Sequence, residues 1–270
     1  MYVLVKKEYI CEKGKKSTLV VMDTSTEIKP GATMILGFAG IGLLGPIVAN
    51  TLIDQISDIQ EIGFITSEYL PPISVFYDGV LKHPFRLYYS PQSNIIVGIA
   101  EVPFQVSTAY NDLSKTINNW ALSEDIRANE IVIFQGIPQR DIIDDYPVYY
   151  AAEKDLVERL ESFGIKKVEK GIIVGPEATV LNEALSNRLK AYALFTPVLE
   201  IPTPEAGAAI IEILNKIYNL NIDTSKLIEE GKIIKKKMLE LAEKAQQYQQ
   251  AQQQLPDSGQ PRKEYTQYYQ

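Results

Sequence analysis

Apolar and polar positions along the chain predict strands and helices in regular alternation. Short apolar runs bounded by turn residues indicate buried strands, and apolar residues that recur every three or four positions indicate helices. Strands are predicted at 2–5, 18–22, 33–37, 61–66, 73–77, 85–89, 94–102, 130–135, 171–174 and 192–199. Helices are predicted at 46–56, 106–120, 154–163, 176–189 and from 204 onward.

This alternation predicts an α/β domain, residues 1–221, with a mainly parallel sheet covered by helices. Closely spaced strands near 70–102, with a turn at Asp78-Gly79, predict an antiparallel meander within it. Thr203-Pro204-Glu205 predicts the start of a helix, with threonine as the N-cap residue and proline at the first helical position. Gly164 predicts the end of the helix before it.

Beyond this domain, the pattern predicts one long amphipathic helix over 222–250. A heptad stripe runs along it through Leu227, Gly231, Ile234, Met238, Leu241, Ala245 and Tyr248. Two interpretations stay open: the stripe packs on the parent domain, or it joins copies of the chain, with Leu227, Ile234, Met238 and Leu241 as the oligomerisation seam. Residues 251–270 are polar and without periodicity, which predicts a flexible tail.

The stretch around Gly37, Gly40, Gly42 and Gly45 lies between a predicted buried strand and a predicted helix. Repeated glycines there indicate positive φ or a close approach of the backbone to a neighbour. One interpretation is a structural turn that lets the helix pack closely on its strand. A second is a dinucleotide or phosphate site, because Gly40-x-Gly42-x-x-Gly45 matches the pattern that places a pyrophosphate at a helix N-terminus.

A third interpretation of this stretch is a membrane span, because no charged residue occurs between Lys29 and Asp54. Interior glycines, Pro46 and Asn50 are unfavourable in a membrane-spanning helix, and we therefore expect no membrane association.

The dinucleotide interpretation of the glycine stretch lacks support downstream. A dinucleotide-binding unit needs an acidic residue after the next strand, but the candidate, Glu68, precedes Tyr-Leu-Pro-Pro and not a helix.

The composition is that of an ordinary globular protein: 270 residues, 46% hydrophobic and 23% charged. A net charge of −7 and a pI near 5.0 do not indicate a nucleic-acid partner. The single cysteine, Cys11, excludes an internal disulfide and indicates a reducing compartment. The N-terminus is too poor in apolar residues for a signal peptide, so the predicted location is cytoplasmic.

Candidate catalytic residues are few, and we predict no catalytic site, no metal site and no cofactor. The only histidine, His83, lies in a predicted turn, and Cys11 lies in a charged hairpin. Asp141, Asp144 and Asp145 could hold a hard cation, but a solvated acidic loop is the more common meaning of such a cluster. An enzyme in this chain would use residues 40–45 with the 141–145 loop on a nucleotide-like ligand.

The end of the tail is unusual because it is aromatic. Tyr265 is followed by Tyr268-Tyr269-Gln270 at the C-terminus, whereas disordered tails are generally poor in aromatic residues. Tyrosine rings supply apolar area, and the terminal carboxylate offers a charge for a lysine. The end of the tail is therefore suited to insertion into a pocket on a partner protein. The alternative is that these tyrosines occur there by chance and have no binding role.

Several motifs together resemble a known family. They are GFAGIGLLGPIVANTLI at 37–53, LPP at 70–72, FRLY at 85–88, IVIFQGIP at 131–138, GIIVGP at 171–176 and PEAGAA at 204–209. On these motifs the sequence resembles the proteasome assembly chaperone 2 family, in an archaeal-type form, over roughly residues 30–215. The resemblance implies a phosphorylase-like α/β fold, no established catalysis, and a glycine stretch that serves packing.

The resemblance also implies a role for the tail. Archaeal-type members are similar in carrying a C-terminal hydrophobic-Tyr-X tail, which falls here on Tyr268, Tyr269 and Gln270. Such a tail enters the pocket between adjacent α-subunits of the 20S proteasome, where its carboxylate pairs with a lysine. The implied function is that of an ATP-independent assembly chaperone or activator, acting as a homo-oligomer on the 20S proteasome α-subunits or α-ring. The sequence does not decide between the assembling and the mature proteasome.

Overall fold

The computed structural model describes residues 6–12, 15–23, 26–104 and 107–253. Its strands are β1 Lys6–Glu12, β2 Lys15–Asp23, β3 Thr33–Phe38, β4 Gln60–Ser67, β5 Val75–Tyr77, β6 Val80–Lys82, β7 Phe85–Ser90, β8 Ile95–Ala100, β9 Glu130–Pro138, β10 Tyr149–Ala152, β11 Lys166–Lys167 and β12 Lys190–Val198. Its helices are α1 Leu44–Gln55, α2 Ser107–Leu122, α3 Val157–Ser162, α4 Pro176–Ser186, α5 Pro204–Tyr218 and α6 Ser225–Gln253. Short 3-10 turns, Ile41–Leu43 and Lys154–Leu156, precede α1 and α3.

Ten of the strands in the described residues form one mixed sheet, in the order β1-β2-β4-β7-β8-β3-β9-β12-β10-β11. Its centre is parallel: β8, β3, β9 and β12 pair in that order. Beyond β8 the strands β7, β4, β2 and β1 continue the sheet in antiparallel pairs. The predicted α/β class, with a helix-covered parallel part and an antiparallel meander, is confirmed.

Helices cover both faces of the sheet because successive residues of its central strands point in opposite directions. On β3, Met34 and Leu36 belong to one buried cluster and Ile35 belongs to the other. The first cluster includes Trp120 of α2, which is fully buried as the helical periodicity predicted, and residues of α4. The second cluster is covered by α1 and α5.

The chain separates into two units, Met1–Glu230 and Gly231–Gln270. The first holds the sheets and α1–α5, together with the start of α6. The second holds the rest of that helix, which continues to Gln253. Within the described ranges, no helix combines the length and the apolar character that crossing a bilayer needs. The uncharged stretch that was considered as a membrane span is divided between β3 and α1.

The strand predicted at 171–174 is wrong. These residues have no regular structure, and Ile172 is 91% exposed. The edge of the sheet is formed instead by β10 and β11, which the apolar pattern did not predict. Alternation of apolar residues specifies a strand only where a neighbouring strand can pair with it, and none among the described residues pairs with 171–174.

Helix boundaries agree with the predictions only in part. Gly164 has φ +78°, the left-handed conformation predicted at the end of the preceding helix. Thr203 occupies the N-cap position of α5, but its hydroxyl does not cap the helix. The hydroxyl accepts the Leu199 N–H at 3.1 Å and donates to the Ile201 carbonyl at 2.9 Å, which holds the loop before α5. The strand predicted at 2–5 lies outside the described residues.

Candidate functional site

The glycine turn joins β3 to α1 with direct backbone packing. A Cβ added to Gly37 would lie 2.7 Å from the carbonyl carbon of Gly45, and one added to Gly45 would lie 2.6 Å from the Phe38 nitrogen. Real Cβ atoms do not approach backbone this closely, so the two glycines face one another where the first turn of the helix lies on the strand. One turn further along α1, the Ala49 methyl group lies 2.9 Å from the position of a Cβ on Gly37, so the helix lies directly on the strand.

The middle of the turn is held against the end of β12. Gly42 has φ +70°, and a Cβ on it would lie 2.7 Å from the Cβ of Val198. Its carbonyl accepts the Thr203 N–H at 3.0 Å. Gly42 is therefore packed against Val198 and hydrogen-bonded through its carbonyl to Thr203, which supports the structural interpretation of this turn.

Gly40 lies beside a buried carboxyl group. Glu177, in the first turn of α4, is 6% exposed, and its Oε1 lies 3.7 Å from the position of a Cβ on Gly40. Its Oε2 lies 2.8 Å from the corresponding position on Gly175, whose φ of +96° requires glycine. Burial raises the pKa of Glu177 to about 7, against a smaller lowering by its own backbone N–H.

A small cavity opens next to this carboxyl group, at the carboxyl ends of β3 and β8. Its volume is about 40 Å³. That volume is enough for a water molecule and far below the several hundred cubic ångströms of typical ligand pockets. It is lined by Phe38, Ala39, Val102, Pro103, Phe104, Tyr110 and Pro176. Neither its size nor the neighbouring acid favours a nucleotide.

The raised pKa of Glu177 predicts a pH-dependent contribution to stability. The folded pKa lies above the unfolded value, so the contribution is fully present below about pH 4.5 and is lost as the pH rises through about 7. We expect the free energy of unfolding of Glu177→Gln to gain about 3 kcal/mol relative to the wild type between pH 4.5 and pH 8. Urea denaturation at the two pH values measures this difference.

Glu158→Gln is the control for that prediction, because it removes one carboxyl group from an exposed position on α3. Its stability relative to the wild type should change little between the same pH values. A Glu177→Gln variant with the pH dependence of the wild type would contradict a protonated carboxyl at this position.

The other residues considered for catalysis belong to other elements than the glycine turn. The His83 ring stacks on Phe64 with ring centroids 3.6 Å apart, and burial lowers the pKa of His83. Asp141 and Asp145 are exposed in the loop between β9 and β10. Over the described ranges, no group of three or more histidine, cysteine, aspartate or glutamate residues is placed to hold a metal ion. Cys11 lies in β1.

Sequence reasoning missed the surface formed by the β5–β6 hairpin. These two strands pair with each other and form a sheet separate from the main one. Asp78 and Gly79 both have positive φ, +50° and +78°, which is the two-residue type I′ turn that Asp-Gly favours. The exposed apolar side chains of the hairpin region are Ile73, Phe76, Tyr77, Val80 and Leu81.

A group of polar contacts, with the buried Arg86 at its centre, joins this hairpin to the main sheet. Arg86 on β7 is buried and donates from Nη1 to Glu101 Oε2 at 2.7 Å, and its guanidinium lies 5.4 Å from the centre of the Tyr77 ring. The Tyr77 hydroxyl donates to the other oxygen of Glu101. Lys82 pairs with Glu61 at 2.8 Å. The hairpin is thus attached to the main sheet at both of its strands.

The predicted oligomerisation residues differ in their surroundings. Leu227 is buried in the second core cluster of the first unit. Ile234 and Met238 are half-buried, and Leu241 is exposed, all three on the part of α6 beyond Glu230. The tail residues Tyr268, Tyr269 and Gln270 lie outside the described residues.

Comparisons with known proteins agree on one family. The sequence model of the PAC2 family matches residues 34–242. Pyrococcus furiosus PbaA, described as an archaeal homologue of proteasome-assembly chaperone, is 29% identical, with a TM-score of 0.75 over 88% of this chain and 97% of PbaA. P. furiosus PbaB, described as an archaeal proteasome activator, shares the fold at 22% identity, with a TM-score of 0.73 over 84% of this chain and 100% of PbaB. An uncharacterised protein of Methanocaldococcus jannaschii is 26% identical over 237 residues, 87% of this chain and 92% of that protein.

Proposed function

The chain belongs to the PAC2 family, and we propose that it acts on the 20S proteasome as an ATP-independent assembly chaperone or activator. The observation that carries the proposal is the likeness to PbaA, which extends over 88% of the chain. The fold shared with PbaB, described as a proteasome activator, agrees with it. We further propose that the protein is cytoplasmic, as its single cysteine predicts.

In this proposal the C-terminal tail is the docking element. Tyr268 and Tyr269 enter a pocket between adjacent α-subunits, and the carboxylate of Gln270 pairs with a lysine there. The helix α6, with 29 residues, is about 44 Å long. The 13 residues at 255–267 could span up to about 45 Å when extended. The helix and the tail segment together are long enough for the C-terminus to reach pockets on a proteasome ring while the α/β domain lies above that ring.

Several copies acting together would compensate for a weak single contact. Each copy presents one tail, and tails on one oligomer engage neighbouring pockets at high effective concentration. We propose that Ile234, Met238 and Leu241 of α6 contribute to this homo-oligomer, since Leu227, the first residue of the stripe, belongs to the core of the body. No bond chemistry is required, and the close packing of the glycine turn, with the Glu177 carboxyl group and a cavity of only about 40 Å³ beside it, does not favour a nucleotide-dependent enzyme.

Removal of the last three residues tests the docking element. We expect a protein without Tyr268-Tyr269-Gln270, and the single variant Tyr269→Ala, to bind 20S proteasome at least about tenfold more weakly than the full chain. Tyr265→Ala is the matched control: it loses the same side chain four positions earlier and should bind within about twofold of the wild type. Titration of immobilised 20S particles measures the affinities.

Each outcome bears on a different part of the proposal. Full binding without the last three residues would contradict tail docking and move the interface to the α/β body. Absence of binding by the full chain would contradict action on the mature particle, and the same titration with free α-subunits would then test the assembly role. Faster hydrolysis of a small fluorogenic peptide by the 20S particle would identify an activator.

A further inference from the structure

The main sheet has an open edge where β10 continues beyond β11. β10 pairs with β12 from Tyr149 to Ala152, but with β11 only at Tyr149 and Tyr150. The last bond of the β10–β11 ladder is donated by the Val168 N–H to the Tyr150 carbonyl at 2.9 Å. Backbone groups of alternate residues point to the same edge of a strand, so those of Ala152 point to the side that β11 leaves uncovered. In the described part of the chain, no other strand covers that side.

A groove of about 310 Å³ lies along this open edge. Its volume falls at the lower end of the range for ligand pockets, about 300–1,000 Å³. Its walls are mostly short and apolar, because alanine and glycine provide half of the ten lining residues. The lining includes Ala151 and Ala152 of β10, Gly171 and Ile173 of the irregular segment, and Ala178 and Leu181 of α4.

One charged side chain, that of Glu153, is among the ten that line the groove. Its Oε1 is buried, and within the described ranges no hydrogen-bond donor reaches this atom. A buried carboxyl oxygen without a donor costs free energy, which a donor on a bound group would recover. An apolar wall with a single carboxyl group is complementary to a side chain that has an apolar stem and a cationic end, as lysine and arginine have. The net charge of −7 also favours a basic partner.

Exposed apolar side chains extend the surface of the groove. Ile172 is 91% exposed and Val174 is 69% exposed, and Leu185, which lines the groove, is 53% exposed. A small amine bound at Glu153 would leave these side chains in water. A peptide would cover them with the residues on either side of its basic residue, and its backbone could bond to the open edge at Ala152. The apolar surface and the open edge together favour a peptide over a small amine.

We propose that this groove binds an extended segment of a partner protein by strand addition to β10, with a lysine or arginine side chain of that segment on Glu153. Apolar residues of the segment pack on Ile172 and Val174. Backbone bonds contribute affinity for any sequence, and the groove selects the basic residue. The inference goes beyond the proposed function and does not depend on it, because the site lies on the α/β domain and takes a segment of another protein.

Two matched peptides test this inference on the full-length protein. The probe is acetyl-Val-Thr-Val-Lys-Val-Thr-Val-amide, and its control carries norleucine in place of lysine, which keeps the apolar stem and removes the cation. We expect the lysine peptide to bind saturably and the norleucine peptide to bind at least about tenfold more weakly. NMR titration of protein labelled at the alanine methyl groups measures both affinities. The signals of Ala151, Ala152 and Ala178 should shift.

Substitutions in the groove separate its charge from its shape. Glu153→Gln should weaken binding of the lysine peptide about tenfold and give the two peptides nearly equal affinities, because the cation loses its partner. Ala178→Leu should weaken both peptides, since the larger side chain occupies the groove. Glu158→Gln, which removes an exposed carboxyl group from α3, is the control and should leave both affinities unchanged.

Equal binding of the two peptides by the wild type would overturn the inference, and so would absence of binding. An unchanged affinity for the lysine peptide in Glu153→Gln would contradict the role of the carboxyl group. If n-butylamine shifted the same alanine signals at the same concentrations as the lysine peptide, the groove would be a site for small amines instead. The comparison of peptides uses the wild type, so it holds even where a variant does not fold. Removal of Tyr268-Tyr269-Gln270 should leave both affinities unchanged, which separates this site from docking of the tail.

Discussion

Gly45→Ala should destabilise the protein by about 3 kcal/mol or more, although alanine is normally the better helix former by about 1 kcal/mol. Gly45 lies in the first turn of α1, and the added Cβ would lie 2.6 Å from the Phe38 nitrogen and against the Gly37 carbonyl carbon. These are backbone atoms of a central strand and cannot rotate away as a side chain can. The helix must therefore move off the strand, which weakens the packing of α1 against β3.

Chemical denaturation of the wild type and the variant measures this effect. Gly171→Ala is the control, because its added Cβ would have its nearest neighbour at 3.7 Å, the Cγ1 of Val168. That change should alter the free energy of unfolding by no more than about 0.5 kcal/mol. A Gly45→Ala variant as stable as the wild type would contradict the close packing of α1 on β3 and the structural interpretation of the glycine stretch.

Arg159→Met should destabilise the protein by about 2–3 kcal/mol because it leaves a buried carboxylate without its cation. Glu130, at the start of β9, is 1% exposed and accepts from Arg159 Nη2 at 2.6 Å and from the Tyr218 hydroxyl at 2.8 Å. This expected loss of stability is smaller than the usual cost of breaking a fully buried ion pair, because the Arg159 side chain is 37% exposed and water partly screens its charge. Tyr218 in turn contacts the Tyr192 hydroxyl at 2.7 Å.

A second substitution separates the charge from the packing. Glu130→Gln in the Arg159→Met background should recover part of the lost stability, because a neutral amide costs less to bury than an unpaired carboxylate. Lys82→Met is the contrast on a surface pair: Lys82 and Glu61 are 2.8 Å apart, close to the 2.6 Å between Arg159 and Glu130, but both side chains are about one-third exposed. The Lys82→Met substitution should lower the free energy of unfolding by less than about 1 kcal/mol. Equal losses for Lys82→Met and Arg159→Met would contradict the role given to burial.

The sequence predicted the central elements well because their patterns are local. The run at 33–37 is apolar at every position except Thr33 and became β3, and residues 106–120 repeat at helical spacing and became α2 with Trp120 buried. Asp78-Gly79 predicted the turn that the hairpin has, since two residues with positive φ favour this dipeptide. The resemblance to the family, based on motifs spread over the chain, is confirmed by the match over residues 34–242.

Other features depended on partners far away in the chain. The strand predicted at 171–174 found no neighbour, while Tyr149–Ala152 became β10 because β12 pairs with it. Thr203 looked like a helix cap, but its hydroxyl bonds within the preceding loop. Glu177 lies in the helix predicted from residue 176, and nothing in its local sequence indicates that it is buried. In the folded chain it is 6% exposed, with its carboxyl group beside Gly40 and Gly175, and burial raises its pKa.

By itself, the sequence determined the α/β class, the order of most elements, the family and the tail on which the proposed docking rests, because periodicity, turn residues and motifs are properties of neighbouring positions. Only the tertiary structure decided which glycines touch backbone, which carboxyl groups lose water, and which apolar residues stay exposed. Phe76 and Leu81 have an apolar pattern like that of core strands, yet they face solvent because Tyr77 and Lys82 attach the opposite face of their hairpin to the body. Burial depends on what packs against a residue, and that is set by the whole fold.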